Sequence, residues 1–139
     1  MFMSKKAKGS RAERELFHKL WLHFGPCVRA AGSGSTTKPA PDLITSDGSR
    51  VIAIECKSVK GTKKYFEHEE IEQLVSFATG FGAEPWIAVR FDNKGWYFLE
   101  ATNLSQSKGK SLLVSFELAQ KNGKKFEEFL GMYQQQRLV

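Results

Sequence analysis

The chain has 139 residues, with 21 Lys and Arg against 15 Asp and Glu, a formal charge of +6. That length builds one domain around a single core, and 41% hydrophobic with 26% charged residues excludes a disordered chain. No apolar run approaches the ~20 residues that cross a bilayer, and Met1–Arg14 lacks the apolar middle of a signal peptide, so no membrane role and a cytoplasmic, intracellular location are expected.

The first eight residues read as a flexible basic arm with Lys5, Lys6 and Lys8, and residues 9–139 as the folded domain. Ser10–Phe24 is a predicted helix: Ser10 with Glu13 forms an S-x-x-E capping box, Leu16, Phe17, Leu20 and Phe24 form one stripe, and Gly25-Pro26 stops it. Cys27–Ala30 is a short strand, followed by a Gly-, Ser-, Thr- and Pro-rich loop from Gly32 to Pro41. Leu43–Thr45 and Val51–Cys56 make a hairpin across Ser-Asp-Gly-Ser. Glu67–Phe81 returns to helical spacing, with Ile71, Leu74, Val75 and Ala78 on one face and acids in the first turn, where the helix dipole favours them. Trp86–Phe91 and Trp96–Leu99 form a second hairpin through Asp92–Gly95, Ser111–Phe116 a further short strand, and a last helix runs from Gly123 to about Gln135. The expected fold is α/β, a single domain with a central mixed β-sheet flanked by helices.

The chemistry concentrates in Pro41-Asp42 and Glu55-Cys56-Lys57. Residues two apart on a strand share a face, so Glu55 and Lys57 project together and Cys56 points away. A four-residue turn at Asp47–Arg50 would pair Ser46 with Val51 and set Asp42 opposite Glu55; any even-length turn keeps Asp42 on the Glu55 face, and an odd-length turn puts it on the other. Two carboxylates on neighbouring strands make a hard oxygen site suited to Mg²⁺, with Mn²⁺ as a substitute and the Cys56 carbonyl as a third ligand. Lys57 beside the ion either holds an attacking water or meets developing negative charge. Spacing alone also allows a solvent-facing Glu55–Lys57 ion pair. Against that, Val51–Cys56 is apolar on both faces, as in an inner strand, and such a strand ending in Glu and Lys needs a compensating partner. Glu13 sits at the upper end of the core-facing helical stripe, where it either caps the helix or reaches the same metal.

Basic runs at the N-terminus, at Lys57, Lys60, Lys63 and Lys64, and at Lys121, Lys124 and Lys125 suit nucleic-acid phosphates as well as a solvated surface. His18, His23 and His68 read as surface residues, and Cys27 and Cys56, without zinc spacing, as buried thiols.

In this order, Gly9-Ser10-Arg11-Ala12-Glu13-Arg14-Glu15, Val28-Arg29-Ala30-Ala31-Gly32-Ser33, Pro41-Asp42-Leu43 and Ile54-Glu55-Cys56-Lys57 resemble the archaeal Holliday junction resolvases, within the PD-(D/E)xK nuclease superfamily. The resemblance continues through Tyr65, Phe77-Ala78, Ala88-Val89 and Trp96. It implies a restriction-endonuclease-like fold and Mg²⁺-dependent cutting of four-way junction DNA by paired nicks. Asp42, Glu55 and Glu13 would bind metal, Lys57 would act on the attacking water, Ser33 would approach the strand being cut, and Arg14 and Arg29 would hold phosphates. It also implies a homodimer, and Trp86, Phe91, Trp96 and Phe98 are candidates for its buried contact, with core packing as the rival role. The alternatives are a nuclease of this fold acting on other branched or duplex DNA, and a DNA-binding scaffold without catalysis.

Overall fold

The computed structural model describes residues 5–30, 38–104 and 111–131, with residues 5–10 as backbone only. In chain order the elements are α1 (Lys5–His23), β1 (Cys27–Arg29), β2 (Leu43–Ser46), β3 (Val51–Val59), β4 (Lys63–Glu67), α2 (His68–Phe81), β5 (Glu84–Phe91), β6 (Gly95–Glu100), α3 (Ala101–Leu104), β7 (Ser111–Ser115), α4 (Phe116–Asn122) and β8 (Lys124–Lys125), and residues 126–131 are again helical. The main sheet has six strands in the order β1-β2-β3-β5-β6-β8, antiparallel throughout except for the parallel β3–β5 pair that α2 connects. β4 and β7 form a separate two-stranded sheet. Among the described residues, no helix is long and apolar enough to cross a membrane.

The alternation along β3 divides the interior. Ile52 and Ile54 pack with Ala12, Leu16 and Leu20 of α1, whereas Ala53 and Val59 pack with Ile71, Leu74 and Ala78 of α2. The single core expected from length is therefore two clusters, one on each face of the sheet. β3 lies between β2 and β5 and is covered on both sides, which is why its sequence is apolar at consecutive positions.

Two glycines shape the frame. At Gly25 a Cβ would lie 2.0 Å from the Ser46 carbonyl oxygen, so the turn after α1 closes against β2 only without a side chain. Gly82 takes φ 82° and ends α2 in the left-handed region, its N–H reaching the carbonyls of Ala78 and Thr79.

Several expectations need correction. α1 starts by Lys5, so Ser10 lies inside the helix and the Ser10–Glu13 capping box does not form its start. Of the arm expected over 1–8, residues 5–8 are helical backbone continuous with α1, and the first four lie outside the described residues. The last helix begins at residue 126, after the short β8; ahead of it comes α4, whose N-cap Ser115 accepts the Leu118 N–H at 3.1 Å. The end of that expected helix, from residue 132 on, lies outside the described residues. Trp86, Phe91, Trp96 and Phe98 are 2%, 0%, 6% and 0% exposed, so as core side chains they are not available for a dimer contact. Phe98 stacks on Phe129 at 4.5 Å between ring centres, and Trp86 meets the same ring edge-on.

At the N-terminal end of the parallel strands, Arg50 donates two 2.7 Å hydrogen bonds to Glu84, and its guanidinium lies over Phe129. This bidentate pair ties the starts of β3 and β5 together. Glu55 and Lys57 lie further along β3, toward the end where parallel strands in open α/β sheets present their ligand sites.

Candidate active site

The β2–β3 register pairs Ser46 with Val51 and Leu43 with Ile54, which puts Asp42, immediately before β2, level with Glu55. Asp42 Oδ2 accepts the Cys56 backbone N–H at 2.8 Å, and the Asp42 carbonyl accepts the Ala30 N–H at 3.0 Å. The aspartate is thus held from both sides by backbone while its side chain lies along the end of β3.

The electrostatics follow from this apposition. Burial, then the nearby Asp42 charge and a hydrogen bond between the two carboxyls, push Glu55 up from 4.5 to about 9. Glu55 therefore carries a proton at neutral pH and donates it toward Asp42. Glu13 of α1 is also raised, by burial and then by Asp42, while its 3.2 Å hydrogen bond from Arg29 Nε pulls the other way. Arg14 is close enough to add to that opposing pull. Burial also pushes the Cys56 thiol well up, with Asp42, Glu13 and Glu55 adding to it, so this sulfur is no nucleophile. Cys27 is raised to about 11 by burial, and both cysteines are free thiols.

Lys57 points to the same side of the sheet as Glu55. Burial works against its charge, but an ion pair with Glu70 in the first turn of α2 holds the ammonium above its usual value, with Glu55 and Asp42 adding to the effect. Sequence reasoning missed Glu70 as part of this cluster, because an acid at a helix N-terminus already has an adequate explanation in the dipole. Arg90 of β5 pairs with Glu15 of α1 at 2.8 Å, and Glu15 also accepts the Trp96 indole N–H.

The structure thus brings Asp42, Glu55, Lys57 and Glu13 into one electrostatic neighbourhood, with Arg29 and Arg14 at its edge. Among the described residues, no three of His, Cys, Asp and Glu are already gathered as a ligand set, and Glu13 is engaged by Arg29 instead. Ser33 lies outside the described residues, as do the side chains of Lys5, Lys6 and Lys8. Lys60 and Lys63 are exposed and Lys64 is half-buried. His18 and His23 are exposed as expected, whereas His68 is half-buried and 3.1 Å from Glu72.

The family model for archaeal Holliday junction resolvase (Hjc) matches residues 4–138. The crossover junction endodeoxyribonuclease Hjc of Archaeoglobus fulgidus is 39% identical over 132 residues, covering 91% of this chain and 97% of that protein. The protein of the same name from Methanocaldococcus jannaschii is 37% identical over 102 residues, covering 71% of this chain and 73% of that protein. The 1.6 Å structure of Archaeoglobus fulgidus Hjc, described as a Holliday junction resolvase, superposes with a TM-score of 0.78 at 33% identity, covering 89% of this chain and 96% of that one.

Proposed function

This chain belongs to the archaeal Holliday junction resolvase family, and from that premise we propose how its clustered side chains cut DNA. It is a crossover junction endodeoxyribonuclease, an enzyme of DNA recombination and repair that acts on four-way junctions.

The apposition of Asp42 and Glu55 carries the catalytic reading. Glu55, pushed up to about 9 by burial and then by the Asp42 carboxylate beside it, marks a site short of positive charge, and a divalent cation supplies that charge without a proton. Their hard oxygens suit Mg²⁺ or Mn²⁺, which Asp42, Glu55 and the Cys56 carbonyl would hold, with Glu13 as a further acid in reach. When bound, the metal stabilises phosphate charge and acidifies water. Lys57 brings its ammonium to the side of the site where negative charge develops. Arg29 and Arg14 offer planar, bidentate donors to phosphates flanking the cut. Ser33 approaches the strand being cut.

The enzyme works inside the cell as a homodimer, because paired nicks on opposed strands of a nearly two-fold substrate call for two active sites related by a two-fold axis. The apolar side chains left for that contact are the exposed ones, Tyr65, Phe81 and Leu113 among them, and not the buried aromatics of β5 and β6.

The test is cleavage of a mobile four-way junction, with and without Mg²⁺, by the native chain and by Asp42→Asn. Paired nicks are expected only for the native chain with metal, and a linear duplex of the same sequence should stay whole. Equal cutting without any divalent ion, or by the variant, overturns the reading. Binding is led by contacts to the DNA phosphates, with the positive charge supplied by Lys5, Lys6, Lys8, Lys60, Lys63 and Lys64 together with the arginines. With about six phosphates neutralised, a plot of log affinity against log salt should fall with a slope near −5. A flat plot would show that these lysines do not meet DNA.

A further inference from the structure

The first turn of α2 carries acids with different partners. Glu69 is exposed and accepts a hydrogen bond from Gln73 in the next turn, and Glu72 meets His68; both interactions stay within α2. Glu70 is half-buried and leaves its own helix to meet Lys57 on β3. Its charge is also felt at Glu55. Lys57 thus lies among three carboxyl groups: Glu70 from the helix, and Glu55 and Asp42 from the strand side.

This arrangement matters because of what the lysine would otherwise do. Its four-carbon stem is flexible, and its ammonium is a compact charge that takes the nearest carboxylate oxygen. Without Glu70, the acids that still act on Lys57 are Asp42 and Glu55, whose oxygens a cation needs. Lys57 would then be a competing counter-ion lying across the acid pair. Glu70 gives the ammonium a separate anchor on the helix side and leaves the acid pair open.

We propose that Glu70 is a positioning residue that acts through Lys57, holding its ammonium beside the Asp42–Glu55 pair without letting it occupy that pair. The proposal rests on the catalytic reading above. Glu70 touches neither substrate nor metal in this role. Its effect comes from where it keeps the lysine before DNA arrives.

The test is single-turnover junction cleavage across a Mg²⁺ series, with junction affinity and thermal transition measured on the same preparations. Glu70→Ala should slow cleavage about 10- to 100-fold and shift the metal dependence to higher Mg²⁺, with junction affinity and thermal transition close to native. Glu70→Gln keeps an oxygen that accepts from the ammonium and should recover most of that loss. In a Lys57→Ala background, Glu70→Ala should cause no further loss, since a residue acting through Lys57 has nothing left to position.

Native-rate cleavage by Glu70→Ala overturns the proposal, as does equal loss in the Ala and Gln variants, or further slowing of Lys57→Ala. If Lys57→Ala itself cuts at the native rate, the catalytic reading fails first. If Lys57→Ala is impaired and Glu70→Ala is not, only the role of Glu70 falls.

Discussion

Glu55→Gln is expected to reduce junction cleavage by about 10³-fold or more while leaving junction affinity within about twofold. The amide has the shape of the carboxyl and keeps one oxygen and a donor. Because Glu55 in the free protein already carries a proton at neutral pH, the variant reproduces the uncharged state that the fold already contains. Its packing beneath α2 and its hydrogen bond toward Asp42 should therefore persist. What disappears is the second negative charge, which the residue can supply only by losing its proton to an incoming cation. Affinity should be nearly unchanged because the basic side chains that meet phosphates lie on other segments. Single-turnover cleavage and gel retardation of the same junction, with the same preparation, separate the two effects. Lost retardation with intact cutting contradicts this division of labour, and unchanged cutting removes Glu55 from the chemistry.

The part of this site that could be read from sequence is the part governed by strand geometry. The pairing of Ser46 with Val51 follows from a turn that can close in few ways, and with it comes Asp42 opposite Glu55. The consecutive apolar positions of β3 announced an interior strand, and it lies between β2 and β5. The aromatics were harder to place. Trp86, Phe91, Trp96 and Phe98 read as candidates for the dimer surface although core is the better reading for any one of them, because hydrophobicity does not say which face is covered. Their burial depends on Phe126, Phe129 and Phe116, which arrive from distant segments. The β4–β7 sheet was not foreseen as a pair, since Lys63-Lys64-Tyr65-Phe66-Glu67 buries only Phe66 and its partner strand begins at Ser111. Glu70 was misread for a related reason. A first-turn acid satisfies the helix dipole wherever it points, and its contact with Lys57 depends on how α2 lies on the sheet.

In the absence of divalent cations, the folded chain should lose stability as pH rises between about 5 and 9, and Asp42→Asn should reduce that loss without abolishing it, because burial, the largest cause of the Glu55 shift, remains. Unfolded Glu55 titrates near 4.5, whereas the folded residue holds its proton to about 9. Across that interval the folded state binds a proton that the unfolded state has released, so stability declines with pH, by at most about 1.4 kcal/mol per unit. Relaxation and water entry reduce the integrated effect, and about 2–4 kcal/mol between pH 5 and 9 is a reasonable expectation. Glu13, also raised, adds in the same direction. Two other shifted groups act outside this window. Glu84, held below its ordinary value by Arg50, contributes stability that is lost only as pH falls through its depressed value. Lys57, raised through Glu70, contributes stability that is lost only above its ordinary value of 10.5. Mg²⁺ should reverse the decline, because a cation binds the doubly ionised pair and so stabilises the folded state more at pH 8 than at pH 5. Thermal transitions of the native chain and of Asp42→Asn, each with Mg²⁺ and with a chelator, measure all four combinations. Parallel pH profiles for the two proteins in chelator would mean that Asp42 does not help to hold the proton on Glu55. A metal effect of equal size in both would place the cation somewhere other than on this pair.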